Sequence, residues 1–324
     1  MQVFQDAFHN SDLPFGAIGT IGNFDGVHRG QQEIVRRVVE RARQEELPAL
    51  VITFEPHPLE VLRPAEAPPR ISTLEQKIGL LEELGIDAVL VIRFDQEFAR
   101  QTAEDFAEGF LHGRLGLREI HVGAGFVFGR DRQGNVPLLK RLGEQWGFLA
   151  FGIEEVAAGG RRVSSTRIRQ AILEGRVEDA QDMLGRPPQV AGIIVRGDRM
   201  GKRLGWPTIN VAADSELLPA DGVYACQVFF PKIPATFDCA TNIGTRPTVY
   251  ENYQRVVEAH ILDFSTDVYG ERVEISFFKR LREERIFPSV MDLSAQIRLD
   301  VEATREFFAA RRGLADNIEG SIES

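Results

Sequence analysis

The chain reads as two domains of different class: an α/β domain on a parallel, doubly wound sheet, then an antiparallel β-barrel closed by a terminal helix. Three observations predict this. In the first half short apolar runs alternate with amphipathic helical patterns, as strand-to-strand crossovers require. From residue 190 to 278 strands with turn residues between them follow one another instead. Between the halves stands Gly185-Arg186-Pro187-Pro188, a run of breakers that marks a boundary.

Taken in order, strands are predicted over 16–21, 49–54, 88–94, 119–123 and 148–156. A helix over 32–46 carries Ile34, Val35, Val38, Val39 and Ala42 on one face, and Phe106, Ala107, Phe110 and Leu111 mark another. Helices over 166–174 and 178–184 complete the first domain, 1–185. The second, 186–312, has strands over 189–196, 222–230, 239–243, 256–264 and 272–278 and a helix over 292–312; residues 313–324 read as a polar tail.

At 324 residues there is material for two cores. Hydrophobic residues at 43% and charged residues at 27% are ordinary globular usage. A net charge of −10 opposes nucleic-acid binding, which needs a basic face. No apolar run approaches the roughly 20 residues of a membrane span, and the first residues lack the basic and apolar regions of a secretory leader. Cys226 and Cys239 have no metal-type spacing and fall in apolar strand segments, so they read as packing residues of a cytoplasmic protein.

The chemistry begins at 22–31, GNFDGVHRGQ, where a strand runs through a glycine turn into a helix. Glycines let backbone approach a bulky anion, and a helix start aims free N–H groups at it. No Lys-Ser or Lys-Thr follows, so this is not a P-loop, and His28 is placed to supply the positive charge. Arg161 to Arg169 puts Ser164, Ser165 and Thr166 at a helix start with Arg167 in its first turn, which suits an anion at that end. Thr53-Phe54-Glu55-Pro56-His57-Pro58 and Gly123-Ala124-Gly125-Phe126-Val127-Phe128-Gly129 end strands with aromatic rings able to enclose a planar heterocycle.

The turn resembles the HxGH signature of the Rossmann-like nucleotidyltransferase superfamily, written here His28-Arg29-Gly30-Gln31. GNFDGVH, TFEPHP, GFVFG and SSTRIR in this order resemble the adenylyltransferase half of the prokaryotic bifunctional riboflavin kinase/FMN adenylyltransferases. The resemblance implies ATP held by Gly22, Asn23, Phe24, Asp25, His28 and Gly30 on one side and by Ser165, Thr166 and Arg167 on the other. FMN would lie against Phe54, His57, Pro58, Phe126 and Phe128. His28, Arg167 and Gln31 would act on the transferring phosphates. The chain departs from the family at Gln31, where a second His is usual, and at Gly125 and Val127.

The second site runs from Val195 to Asn210, glycine-rich and basic, and ends on Thr208 and Asn210. These two oxygen-bearing side chains share one side of an extended segment and suit Mg²⁺ on a nucleotide. Gly197 to Asn210, Pro219 to Tyr224, Thr241 to Thr248 and Glu258 to Phe264 resemble the riboflavin kinase domain of the same family, a six-stranded antiparallel barrel. That implies Thr208 and Asn210 on the metal, Glu258 as general base, Gly197, Lys202, Arg203, Gly205 and Pro207 around the nucleotide, and Arg282 with Phe287 on the flavin side. The expected reactions are riboflavin to FMN and FMN to FAD, with ATP and Mg²⁺ in both and small molecules as the partners. A kinase whose first domain only binds nucleotide or flavin is the alternative, distinguished by Gln31, Gly125 and Val127. A non-catalytic flavin carrier would show decay at Glu258, Thr208 or Asn210, and none is present.

Overall fold

The computed structural model describes residues 1–10, 12–154, 157–158, 160–197, 201, 204–214, 217–246 and 254–319. The chain divides into two compact units, Met1–Ser165 and Thr166–Ser324.

The first unit carries β1 (Gln2–Phe4), β2 (Ile18–Ile21), α1 (Arg29–Gln44), β3 (Ala49–Glu55), α2 (Pro58–Leu62), α3 (Leu74–Glu83) and β4 (Ala88–Arg93). Then come α4 (Ala103–Asp105), which continues as wide π-helical turns over Phe106–Arg114, β5 (Glu119–Gly123), β6 (Val127–Phe128), β7 (Gly134–Asn135), α5 (Val136–Trp146), β8 (Leu149–Ile153), β9 (Ala157–Ala158) and β10 (Arg161–Arg162). The sheet order is β1-β4-β3-β2-β5-β8, and every pairing in it is parallel. All four residues of β2 and the first five of β3 are buried, as strands covered on both faces must be. From β2 the chain builds outward through β3 and β4, then returns to place β5 on the other flank. That reversal opens the crevice in which such sheets bind ligands, and 22–31 leads out of β2 at that point.

The second unit contains α6 (Ser165–Leu173, its first residue counted with the first unit), α7 (Val177–Leu184), β11 (Gln189–Val195), β12 (Ile209–Ala213), β13 (Gly222–Phe230), β14 (Ala235–Arg246), β15 (Gln254–Ile261), β16 (Arg272–Glu283) and α8 (Val290–Glu319). The six strands close into an antiparallel barrel ordered β11-β12-β15-β14-β13-β16. Val211, Val228, Ile243, Val257, Ile275 and Phe277 fill it. Cys226 and Cys239 face each other across β13 and β14, both unbridged and fully buried, and burial pushes the Cys239 thiol up to about 12. Val177 of α7 is seated among the barrel residues with none of its surface exposed. α8 lays Phe308 on Phe278 and Val301 against Ala240 and Leu262.

Several elements differ from expectation. β1 has three residues, too few to show a period, and β12 follows Pro207 so closely that it reads as loop. The helix expected to end at 312 continues to Glu319, so residues 313–319 are helical, and 320–324 lie outside the described residues. The strand expected over 148–156 is Leu149–Ile153, and 155–156 lie outside the described residues.

Candidate functional site

At the end of β2 the Gly22 amide donates to Ile52 O at 3.1 Å, and the backbone then takes positive φ at Phe24 (48°), Gly26 (84°) and Val27 (39°). For a β-branched residue such as Val27 that conformation is strained and is held by its surroundings. Phe24 and Val27 are buried in the layer beneath α1, so both side chains anchor the turn. Asp25 is likewise turned inward: its Oδ1 accepts from the amides of Ile71 (2.9 Å) and Ser72 (3.2 Å). Ser72 Oγ accepts from the Gly26 amide at 3.1 Å, and a Cβ at Gly26 would stand 2.8 Å from Ile71 Cγ2. The Ser165 hydroxyl donates to the Asp25 carbonyl at 3.1 Å and so fastens the last residue of the first unit to the glycine turn.

His28 is the N-cap of α1. Its Nδ1 accepts from the Gln31 amide (3.3 Å), while Gln31 Oε1 accepts from the His28 amide (3.0 Å), a reciprocal capping box. A ring nitrogen that accepts a hydrogen bond carries no proton, so His28 holds its proton on Nε2 and can donate from there. The amides of Arg29 and Gly30 precede any intrahelical acceptor, the arrangement that helix starts offer to anions. Gln31, expected among the reacting groups, shares this capping box with His28. Thr166, exposed, and Arg167, half-buried, open α6 in the second unit.

His57 caps α2 in the same way, with Nδ1 accepting from the Leu59 amide at 3.2 Å and Pro58 as the first helical residue. Its Nε2 lies 3.0 Å from the Asn23 side-chain nitrogen, which brings the two loops together. Arg70 grips Glu60 through two bonds and Glu55 through a third, and this fastens the loop between them. The Arg70 guanidinium holds the Glu60 carboxyl below its ordinary range. Phe54 is half-buried, 5.7 Å from Phe94 and 5.9 Å from Phe98 between ring centroids. Phe126 and Phe128 stack on one another at 5.4 Å; Phe128 is buried and Phe126 half-buried.

On the barrel the second group is placed by strand register. Asn210 of β12 lies opposite Glu258 of β15, which lies opposite Asn242 of β14. All three are half-buried, while Val257, Ala259 and Ile243 beside them point into the core, so the polar row occupies the outer face. Thr208, two residues before Asn210, joins that side. A Cβ on Gly197 would stand 2.4 Å from Asn210 Nδ2, and one on Gly201 3.1 Å from Thr208 Oγ1, so the glycine loop lies directly on both oxygen-bearing residues. Gly201 O accepts from Leu204 N and Trp206 N, and Gly205 turns the chain with φ +84°. Pro207 O meets His260 Nδ1 at 2.7 Å, and Trp206 Nε1 donates to Ser294 Oγ of α8. Lys202 and Arg203 lie outside the described residues.

Arg282, expected beside the flavin, gives its guanidinium to buried Asp300 of α8 through Nε (2.9 Å) and Nη2 (2.8 Å), with Phe287 5.6 Å from it. Here it fastens α8 to β16. Glu284 was not anticipated: its Oε1 lies 2.2 Å from where a Cβ on Gly244 would be, and burial raises its carboxyl above the ordinary range. The sequence signal for it is a side-chain-free Gly244 beside Asn242, which becomes legible only once strand pairing is known.

The sequence model of the family described as FAD synthetase matches residues 12–167, and that described as riboflavin kinase matches residues 184–308. The bifunctional riboflavin kinase/FMN adenylyltransferase of Escherichia coli (strain K12) is 39% identical over 296 residues, covering 90% of this chain and 93% of its own. That of Haemophilus influenzae is 36% identical over 308 residues, covering 95% and 99%. A crystal structure of a protein from Streptococcus pneumoniae, titled a macrolide-efflux protein, superposes with a TM-score of 0.84 at 29% identity over 94% of this chain and 99% of that one. With both family matches in order and such relatives along nearly its whole length, the chain belongs to the bifunctional riboflavin kinase/FMN adenylyltransferases.

Proposed function

We propose that this chain phosphorylates riboflavin to FMN on the barrel and adenylylates FMN to FAD in the α/β unit, consuming ATP at each site, as a cytoplasmic enzyme. The observation that carries the reading is that one chain holds two separate groupings of the expected residues. One is the capped glycine turn at the sheet's reversal, and the other is the Asn210–Glu258 pair beneath a glycine loop.

In the kinase reaction the acceptor is a neutral alcohol, the 5′-hydroxyl of the ribityl chain. Glu258 takes its proton as the oxygen attacks the γ-phosphorus and ADP departs. In adenylyl transfer the FMN phosphate is already largely a dianion, with a second pKa of about 6, and attacks the α-phosphorus without a base. His28 Nε2–H and the first amides of α1 then stabilise charge on the departing pyrophosphate.

The donor set suits Mg²⁺ carried by a nucleotide. Thr208 and Asn210 offer hard oxygens on one face, and no cluster of three or more His, Cys, Asp or Glu able to hold an ion alone occurs among the described residues. The bound ion would supply charge neutralisation at the phosphates. No helix of the described residues is long and apolar enough to cross a membrane.

Incubation of the purified chain with riboflavin, ATP and Mg²⁺, with FMN and FAD resolved by chromatography, tests both steps. Accumulation of FMN with no FAD at any enzyme concentration would leave a kinase with a binding-only first unit.

A further inference from the structure

Lys77, in the first turn of α3, is buried to 6% exposure. Lysines are rarely buried, and a cation in the first turn of a helix also opposes its dipole, so the fold carries two unfavourable terms to keep this amine inside. Its Nζ donates to Thr53 Oγ1 at 3.3 Å, and Thr53 Oγ1 donates to the Asn23 carbonyl at 3.2 Å. Asn23 is the residue whose side chain meets His57. The amine therefore stands at the base of a chain of contacts that ends where the glycine turn joins the TFEPHP loop.

We propose that Lys77 is a positioning residue of the adenylyl-transfer site, fixing through Thr53 the backbone at Asn23 where the two substrate loops meet. This rests on the assignment of that site to FAD formation. An ammonium has three donors and no acceptor, so Thr53 Oγ1 must accept from it, and the single hydroxyl proton is then directed to Asn23 O. A neutral amine can accept instead, and the hydroxyl proton is free to turn away from the carbonyl. The protonation of Lys77 thus sets the direction of the whole chain. Desolvation lowers its pKa from the ordinary lysine value, opposed by the carboxylates of Asp25, Glu55 and Glu60 and assisted by the Arg70 guanidinium. Raising the pH through that lowered value removes the proton, so FAD formation falls as the amine deprotonates.

The test uses the full chain, with riboflavin phosphorylation as the internal control. Lys77→Met is expected to reduce FMN-to-FAD turnover by about 10- to 100-fold, the scale of a misplaced reacting group, with the kinase rate unchanged. It should also abolish the wild-type alkaline decline of FAD formation. Thr53→Val should reproduce the loss, and adding it to Lys77→Met should cost nothing more, because both cut one chain. Wild-type turnover in Lys77→Met, an unaltered alkaline limb in that variant, or losses that multiply in the double variant would each overturn the proposal. If Lys77→Met does not fold, Thr53→Val decides, and unchanged FAD formation in it is refutation. His28→Ala run in parallel separates the two failures: full FAD formation without His28 refutes the site assignment, whereas its loss alongside an unaffected Lys77→Met refutes only the role of Lys77.

Discussion

In the α/β unit the reactive loops are held by side chains that bond to backbone: His28 and Gln31 cap each other, His57 caps α2, and Asp25 grips the amides of Ile71 and Ser72. On the barrel the equivalent groups are placed by strand pairing, with Asn210, Glu258 and Asn242 in one row and glycines clearing space above them. The contrast follows from the chemistry each site needs. Adenylyl transfer requires amides and charge gathered around an anion, which loops and helix starts provide. The kinase requires one carboxylate at a fixed distance from a metal-side pair, which a ladder provides without further support. Substitutions should accordingly spread through the first site and stay local in the second.

The largest effect expected is at the carboxylate of the row. Glu258→Gln keeps the shape and removes the base, so FMN formation should drop by about 10² to 10⁴-fold, the usual value of general-base assistance, while FMN-to-FAD conversion is unchanged. Parallel assays of the two half-reactions check this. Loss of both, or of neither, would break the assignment.

A methyl group is enough to probe the loop above it. Gly197→Ala puts a Cβ into the Asn210 amide, whose side chain can swing aside, so stability should change by no more than about 1 kcal/mol while riboflavin phosphorylation falls by roughly tenfold or more. Thermal melts and kinase rates on the same preparation read the two separately. A large loss of stability with proportionate activity would make Gly197 a folding residue.

Separating the units sharpens the comparison. The Pro-rich run at 185–188 invites a fragment starting there, and such a fragment is expected to fold and phosphorylate riboflavin. Yet Val177 sits in the barrel core, Ala220 N donates to Ile172 O, and a Cβ on Gly175 would meet Tyr224 Oη at 2.9 Å. Uncovering one buried valine costs about 1.5–3 kcal/mol. A fragment 186–319 should therefore melt about 5–15 °C below one spanning 166–319, by calorimetry. Equal melting temperatures would show that α7 contributes nothing to the barrel.

The sheet, its reversal at β2 and most barrel strands were legible because each rests on a hydrophobic period that survives folding. Short or interrupted elements were not: β1 is three residues, β12 starts behind Pro207, and the helix after Asp105 opens into π turns that the apolar spacing of Phe106, Phe110 and Leu111 does not reveal. At the sites residue identity was legible and residue employment was not. Nothing in the letters His28, His57 and Asp25 says that their polar atoms bond to backbone, nor that Lys77 lies beneath Asn23, because these depend on contacts between distant segments.

Gln31 carries the smallest and most discriminating effect. From sequence, restoring the usual His should gain a charge-assisted bond to phosphate in place of a neutral one, a difference of roughly 1–1.5 kcal/mol, or about tenfold in FAD formation. The capping box opposes this, because Gln31 Oε1 already accepts from the His28 amide, a neutral hydrogen bond worth about 0.5–1.5 kcal/mol. The two are comparable, so Gln31→His is expected to leave FMN-to-FAD turnover within about threefold of wild type. Gln31→Ala, which loses the reciprocal bond to the His28 amide and gains no charge, should fall by several-fold to tenfold. A full tenfold gain in Gln31→His would mean that the cap does not matter to His28, and that the first site, like the second, tolerates change at one residue without disturbing its neighbours.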